Sequence, residues 1–217
     1  VLVDACQSLA HHRTSVSALG ADFLVGSSHK LCGPTGMGFL WAREALLDSM
    51  PPFLGGGEMI QDVYLDHSTW ADLPYKFEAG TPAIGEAVGM GAAIHYLEKI
   101  GLENIAAWEA ELTLHLFNRL QGIDGLRILG PTPQQQPERG ALATFLVDGV
   151  HANDIAAMLD LAGICIRSGH HCCQPLHRHY QVTGSARASL SFITTTAEID
   201  RFADELQGVI TFFRDNS

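Results

Sequence analysis

The residues near the start of this 217-residue chain that could do chemistry are Asp4, Gln7, Ser27, His29 and Lys30. A carboxylate can pair with a pyridinium nitrogen, and a nearby lysine can form a Schiff base. Hydroxyl, imidazole and amide groups can hold a phosphate and a ring oxygen. Together these residue types favour a site for pyridoxal phosphate. Taken singly they have plainer explanations, because a lone lysine is usually a solvated charge and a lone aspartate usually caps a turn.

A second reactive group runs through 167–175 and reads Arg-Ser-Gly-His-His-Cys-Cys-Gln-Pro. Three interpretations compete for Cys172 and Cys173. They could be small buried hydrophobic residues, which suits a strand better than a loop rich in glycine and histidine. They could bind zinc with His170 and His171, although four consecutive ligands cannot all face one ion. We favour the third interpretation, an activated thiol flanked by imidazoles on a mobile loop.

Arg187 stands near the start of a later apolar segment. A guanidinium group is a natural bidentate partner for the carboxylate of an amino-acid substrate. A salt bridge at the surface or between domains explains a single arginine equally well. Together with the reactive group at 167–175, we favour the role in binding substrate.

The elements that must position these residues are short apolar strands. Segments 1–5 and 22–26 have the composition of buried parallel strands, and 38–42 predicts a third strand. Ligands of open α/β sheets lie at the carboxyl ends of strands, where both early polar groups fall. Segment 51–82, with its prolines and glycines, predicts a long functional loop.

The remainder of the chain predicts a smaller α/β domain after a boundary near residue 100. Thr81 as N-cap and Pro82 at the first helical position open a helix that runs to about Lys99. The other predicted helices and strands are helices at 102–120, 153–161 and 195–213 and strands at 141–147, 164–167 and 186–192. The last helix begins with the capping box of Thr195 and Glu198.

Composition excludes some functions. The net charge of -11 makes binding to nucleic acid or to anionic lipid a poor prediction. No apolar run approaches the roughly 20 residues that span a bilayer, and the first residues do not resemble a signal peptide. Five irregularly spaced cysteines predict a reducing compartment. We therefore expect a cytoplasmic protein, with an organelle stroma or matrix as the alternative.

Several motifs in order along the chain resemble the class V aminotransferase family, specifically its Suf-type (group II) cysteine desulfurases. The resemblance spans essentially all 217 residues. The motifs are Asp4-x-x-Gln7, Ser27-x-His29-Lys30, the Gly-Pro-Thr-Gly turn at 33–36, Phe-Glu-Ala-Gly-Thr-Pro at 77–82, Arg-Ser-Gly-His-His-Cys at 167–172 and Arg-Ala-Ser at 187–189.

The resemblance implies a pyridoxal-phosphate-dependent transferase of fold type I, with part of a large α/β cofactor domain at 1–100 and a small α/β domain at 101–217. It assigns one role to each matched residue. Lys30 holds the cofactor, Asp4 pairs with the pyridine nitrogen, Gln7 contacts the ring oxygen, Ser27 and His29 contact the phosphate, Cys172 carries the persulfide, Arg187 binds the substrate carboxylate, and Thr81 reaches the phosphate in the other subunit of a homodimer. The segment Gly55-Gly56-Gly57 is expected near that shared site.

The implied reaction converts L-cysteine to L-alanine and passes the sulfur, as a persulfide, to a Suf-type acceptor protein for iron–sulfur cluster assembly. A selenocysteine lyase or a cysteine sulfinate desulfinase on the same fold is the nearest alternative. A non-catalytic zinc or scaffold module is an alternative from another class. No metal is part of the expected site.

Two features depart from the family pattern. Cys173 stands where no thiol is expected and could compete for sulfur. The upstream part of the cofactor domain is also missing from this sequence. We therefore expect the 217-residue piece alone to be inactive or unstable, with apolar strand edges exposed.

Overall fold

The computed structural model describes residues 1–216 and divides into two compact units, Val1–Ile105 and Ala106–Ser217. Each unit contains β-sheet structure of its own.

The first unit contains a three-stranded sheet in the order β1-β2-β3. Its strands are β1 (Leu2–Asp4), β2 (Phe23–Ser27) and β3 (Gly38–Ala42), with the short helix α1 (Val16–Leu19) between the first two and α2 (Glu44–Ser49) after the third. The parallel pairing of β1 with β2 agrees with the sequence prediction, and β3 adds antiparallel to β2. Burial of β1 was predicted wrongly, since Leu2 is 62% exposed at the sheet edge.

The segment 51–82 is not the unbroken loop that its prolines and glycines predicted. It contains an antiparallel hairpin of β4 (Ile60–Val63) and β5 (Ser68–Trp70), followed by a 3₁₀ turn at Tyr75–Phe77. The ammonium group of Lys76 is buried there and donates to the backbone oxygens of Leu47 and Asp48, at 3.3 and 2.8 Å. This contact satisfies carbonyls in the last turn of α2.

Two long helices follow, α3 (Ile84–Ile100) and α4 (Leu102–Gln121). The predicted N-cap at Thr81 is wrong, because α3 begins at Ile84 and its N-cap is Ala83, which makes no side-chain cap bond. Gly101 caps the C-terminus of α3 and has a φ of +90° that other residues rarely adopt.

The second unit is built on an antiparallel sheet in the order β6-β7-β9-β8. Its further elements are β6 (Leu126–Leu129), β7 (Leu142–Val147), α5 (Ala152–Leu161), β8 (Arg167–Gly169), α6 (Gln174–His179), β9 (Ser185–Ser189) and α7 (Thr196–Asp215). Apolar residues of α4, α5, α7 and the sheet form one buried core that includes Phe145 and Leu206. The capping box of Thr195 and Glu198 opens α7 as predicted.

Three sequence predictions for this unit need correction. The strand expected at 164–167 is β8, which begins only at Arg167, so Cys165 lies outside it and is exposed. The reactive segment is not a plain loop, because β8 enters it and α6 leaves it. Strand β6 was not predicted at all. Within residues 1–216, no helix is long and apolar enough to cross a membrane.

Candidate active site

The lysine-bearing segment follows directly from β2. Ser27 ends the strand, and the 3₁₀ turn Ser28–Lys30 then leaves His29 and Lys30 exposed. The hydroxyl of Ser27 lies 2.8 Å from Nδ1 of His29. An exposed amine and a hydrogen-bonded hydroxyl–imidazole pair therefore stand side by side at the carboxyl end of the strand.

The turn that carries Lys30 is stabilised by close packing of Gly33 against Ser28. Ser28 is fully buried, and the N–H of Gly33 donates to its carbonyl oxygen at 3.0 Å. A Cβ atom at Gly33 would lie 2.3 Å from Oγ of Ser28. Residue 33 must therefore lack a side chain for the turn to keep this shape.

Asp4 ends the neighbouring strand β1, and one of its carboxylate oxygens accepts the backbone N–H of Cys6 at 3.0 Å. Hydrogen bonds from the thiol and the N–H of Cys6, with a smaller effect of the Lys30 ammonium, hold the pKa of Asp4 below its usual value. The carboxylate is thus ionised at neutral pH and lies within electrostatic reach of Lys30. This role of Cys6 was not predicted.

Gln7 and Thr81 lie in exposed positions of the same unit. Gln7 follows Cys6 at the start of the 3₁₀ turn Ser8–Ala10. Thr81 follows Gly80, whose N–H donates to the carbonyl of Gly57 at 2.9 Å. The glycine segment at 55–57 and the threonine segment are therefore tied to each other.

In the second unit, Arg167 of β8 and Arg187 of β9 are direct partners across the antiparallel ladder. Like charges opposite each other destabilise a sheet unless an anion or other acceptor compensates them. Arg167 has such an acceptor, since its Nη2 lies 3.3 Å from the sulfur of Cys172. Nε of Arg187 is buried and has no hydrogen-bond partner within the described chain.

The turn that carries the cysteines has an uncommon backbone. His171 and Cys172 have φ values of +51° and +61°, in the left-handed region that residues with a Cβ rarely adopt. The N–H of Cys173 closes the turn on the carbonyl of His170 at 2.8 Å. Cys172 is exposed, whereas the Cys173 thiol donates to the same carbonyl at 3.1 Å.

Two imidazoles of this turn and of α6 share one buried hydroxyl. Oγ of Ser185 lies 3.1 Å from Nε2 of His171 and 2.8 Å from Nε2 of His177. Burial first, and then the charges of Arg187 and Arg167, lower the pKa of His171 from its ordinary 6.5. His171 is therefore neutral at neutral pH. Its contacts with Ser185 and His177 were not predicted.

A cavity of about 200 Å³ lies among these residues. Its polar lining includes Thr144, His171, Cys173, His177 and Arg187. The rest of the wall is largely apolar, which strengthens electrostatic contacts made inside it. The space and its unpaired Arg187 nitrogen suit a small anionic ligand.

The structure places Asp4 within electrostatic reach of Lys30 and Cys172 beside Arg167, whereas Lys30 and Cys172 belong to different units. The zinc interpretation has no geometric support: residues 1–216 contain no cluster of three or more His, Cys, Asp or Glu placed to hold a metal ion. The interpretation of Cys172 as a buried hydrophobic residue is wrong, since it is exposed.

The sequence of the chain matches a known protein family. Residues 1–202 match the family model Aminotransferase class-V. The chain belongs to this family.

Curated relatives make the comparison more specific. The chain is 55% identical over 216 residues to a probable cysteine desulfurase of Synechocystis, covering 100% of this chain and 51% of that protein. It is 43% identical to a cysteine desulfurase of Haloferax volcanii, covering 98% of this chain and 49% of the relative. The chain thus spans about half the length of the curated relatives it matches.

Solved structures show the same fold. The cysteine desulfurase CsdA of Escherichia coli matches with a TM-score of 0.90 and 33% identity, covering 98% of this chain and 52% of that one. The apo cysteine desulfurase of Thermococcus onnurineus matches with a TM-score of 0.89 and 37% identity, covering 97% of this chain and 52% of that one. These matches confirm the predicted α/β architecture of fold type I.

Proposed function

We propose that this chain is the C-terminal portion of a cysteine desulfurase. The first unit would complete the large cofactor domain, and the second would be the small domain that carries the reactive cysteine. The observation that carries the proposal is the contact of the exposed Cys172 thiol with Arg167, directly across the ladder from Arg187. The names of the relatives support it.

The residues of the first unit fit pyridoxal phosphate as cofactor. The lowered pKa of Asp4 keeps a carboxylate available for a pyridinium nitrogen, and the exposed amine of Lys30 lies within its electrostatic reach. The paired Ser27 and His29 offer donors to a phosphate, and Gln7 offers an amide to the ring oxygen. The bound cofactor would supply an electron sink for the substrate carbon. Lys30 would hold it and then move protons on the substrate.

In the second unit, Arg187 would bind the carboxylate of L-cysteine through its guanidinium group, whose Nε has no hydrogen-bond partner among the described residues. Cys172 would attack the substrate sulfur as a thiolate, and Arg167, which contacts its sulfur, would orient it. A sulfur–sulfur bond forms as the carbon–sulfur bond of the substrate breaks. The electron pair stays on the substrate carbon, which gains a proton and becomes the methyl group of L-alanine. Cys172 is left as a persulfide.

The partners and the compartment are part of the same proposal. Thr81, tied to the glycine segment through Gly80 and Gly57, would reach the phosphate of the second subunit in a homodimer. A Suf-type acceptor protein would collect the persulfide sulfur for iron–sulfur cluster assembly. All five cysteines are free thiols, which fits a reducing compartment such as the cytoplasm.

The test uses the full-length protein with its cofactor. Replacing Lys30 by Ala should abolish the visible absorbance of the lysine-bound cofactor, whereas the control Lys99→Ala should keep it. Cys172→Ser should lose turnover of L-cysteine and retain turnover of selenocysteine, whose selenium leaves without a thiol. Full L-cysteine turnover by Cys172→Ser would contradict the persulfide route. Wild-type turnover of selenocysteine or cysteine sulfinate alone would favour the alternative lyase or desulfinase.

A further inference from the structure

The tautomers of the two histidines around Ser185 follow from one contact. Nδ1 of His177 lies 3.1 Å from the backbone oxygen of Cys173, an atom that can only accept. Nδ1 of His177 must therefore carry the hydrogen. In a neutral imidazole the other nitrogen, Nε2, is then an acceptor, and it faces Oγ of Ser185 at 2.8 Å.

The tautomer of His177 also determines the tautomer of His171, because both rings contact the Ser185 hydroxyl. Ser185 has one hydrogen, and it is donated to His177, so its oxygen can only accept from Nε2 of His171 at 3.1 Å. Neutral His171 thus carries its hydrogen on Nε2 and a lone pair on Nδ1. Nδ1 is buried and has no hydrogen-bond partner among the described residues.

Arg187 supplies the complementary unpaired group. It stands two residues after Ser185 on β9, so both side chains project from the same face, about 7 Å apart along the strand. His171 and Arg187 line the same cavity of about 200 Å³. His171 and Arg187 thus border one cavity, and each has one buried nitrogen without a hydrogen-bond partner among the described residues.

We infer that His171 is a further catalytic residue, whose Nδ1 accepts the thiol hydrogen of L-cysteine while Arg187 holds the carboxylate, and that Ser185 and His177 position it. The inference rests on the proposed function and names the group that receives a proton. When Cys172 attacks the substrate sulfur, that sulfur becomes the outer atom of the persulfide. Its hydrogen passes to Nδ1 of His171, which leaves the persulfide as an anion.

The inference also concerns substrate choice. A selenol is much more acidic than a thiol and enters the site already ionised, so it has no hydrogen to give to Nδ1. If Ser185 no longer holds Nδ1 of His171 as an acceptor, turnover of cysteine should therefore fall more than turnover of selenocysteine. A merely structural role of Ser185 would impair both to the same extent.

The test compares variants of the full-length protein with bound cofactor. Ser185→Ala removes the shared hydroxyl, Ser185→Thr keeps it, and Thr183→Ala is the control, since it removes an exposed hydroxyl two residues earlier. We expect Ser185→Ala to lower kcat for L-cysteine about tenfold, the effect of one buried hydrogen bond. Turnover of selenocysteine should stay near that of wild type, and Ser185→Thr should recover turnover of cysteine. An equal loss on both substrates, or no loss on either, would overturn the inference.

A second measurement does not depend on activity. Nitrogen-15 spectra of the histidine-labelled protein report which ring nitrogen carries hydrogen, and we expect His171 to be protonated on Nε2 only. His177→Phe removes the acceptor, so Ser185 should turn its hydrogen towards His171 and the protonated nitrogen should become Nδ1. A wild-type His171 protonated on Nδ1 would contradict the inference. A wild-type protein that fails to turn over cysteine would instead contradict the proposed function.

Discussion

Arg167 reaches the sulfur of Cys172 from five residues earlier in the chain, with Nη2 3.3 Å from Sγ. Cys172 has a left-handed backbone, and Arg167 lies on β8 opposite Arg187. The thiol therefore lies beside a cation, although the sequence suggested only its neighbouring imidazoles as activating groups.

Removing the Arg167 cation should make Cys172 less reactive. The guanidinium contacts the sulfur directly and would stabilise the negative charge on it during attack on the reagent. We expect Arg167→Leu to slow alkylation of Cys172 by iodoacetamide at pH 7 several-fold, measured by peptide mass spectrometry in the full-length protein. Arg178→Leu, which changes an exposed arginine on α6, is the control. Equal rates in the two variants would show that the contact does not activate the thiol.

Cys173 should be dispensable for turnover. Its thiol donates to the carbonyl of His170 and lies 3.9 Å from Nδ1 of His177, away from the arginine that contacts Cys172. We expect Cys173→Ala to keep turnover of L-cysteine close to that of wild type, since its thiol contacts a backbone carbonyl and not the guanidinium that contacts Cys172. Persulfide mapping of the wild type should find the extra sulfur on Cys172. Extra sulfur on Cys173 after brief turnover would identify it as a second carrier.

The sequence predicted those elements whose apolar pattern or caps were strong. Strand β3 and the capping box at Thr195 were predicted closely, because a short apolar run and a cap motif are both local in the sequence. The hairpin β4/β5 was missed because its strands are short and most of their residues are polar or exposed. Strand β8 was placed too early because Ile164 and Ile166 pack against the core without joining the ladder.

Much of the candidate site was also predictable, but only as residue types. Lys30 and Asp4 were recognisable because they follow neighbouring parallel strands. The link between His171 and Ser185 was not, since the two residues are 14 positions apart and polar contacts leave no periodic signal. Contacts between a turn and a strand of this kind depend on the tertiary fold.

The lowered pKa of His171 predicts a stability that depends on pH. The unfolded chain binds a proton near the ordinary pKa of 6.5, whereas the folded chain binds it only at lower pH, because burial and the two arginines oppose the charge. Between these values the unfolded state holds more protons, so stability falls as pH falls. Denaturant unfolding of the full-length protein from pH 7.5 to 5 should show this decline. His171→Asn should reduce this loss of stability at low pH, whereas the exposed control His95→Asn should leave it unchanged.

Gly33 should not tolerate a side chain. A Cβ there would lie 2.3 Å from Oγ and 3.1 Å from the carbonyl oxygen of Ser28, so the turn that presents Lys30 must move. We expect Gly33→Ala to lower the melting temperature and to weaken the absorbance of the bound cofactor. Gly91→Ala is the matched control, because nothing lies within 4 Å of its Cβ and alanine favours a helix interior. Unchanged cofactor binding in Gly33→Ala would show that the packing is not required.

The first turn of α7 depends on Thr195, whose hydroxyl accepts the N–H of Glu198 at 3.3 Å while the Glu198 carboxylate accepts the N–H of Thr195 at 2.8 Å. Thr195→Ala should destabilise the protein by about 1 kcal/mol, the usual effect of losing an N-cap. Thr195→Ser should keep the stability of wild type. Denaturant unfolding measures the free energy of unfolding of both variants. These bonds also lower the pKa of Glu198, so their contribution should fade as acid protonates the carboxylate. Equal stability of Thr195→Ala and wild type at pH 7 would show that the helix does not need the cap.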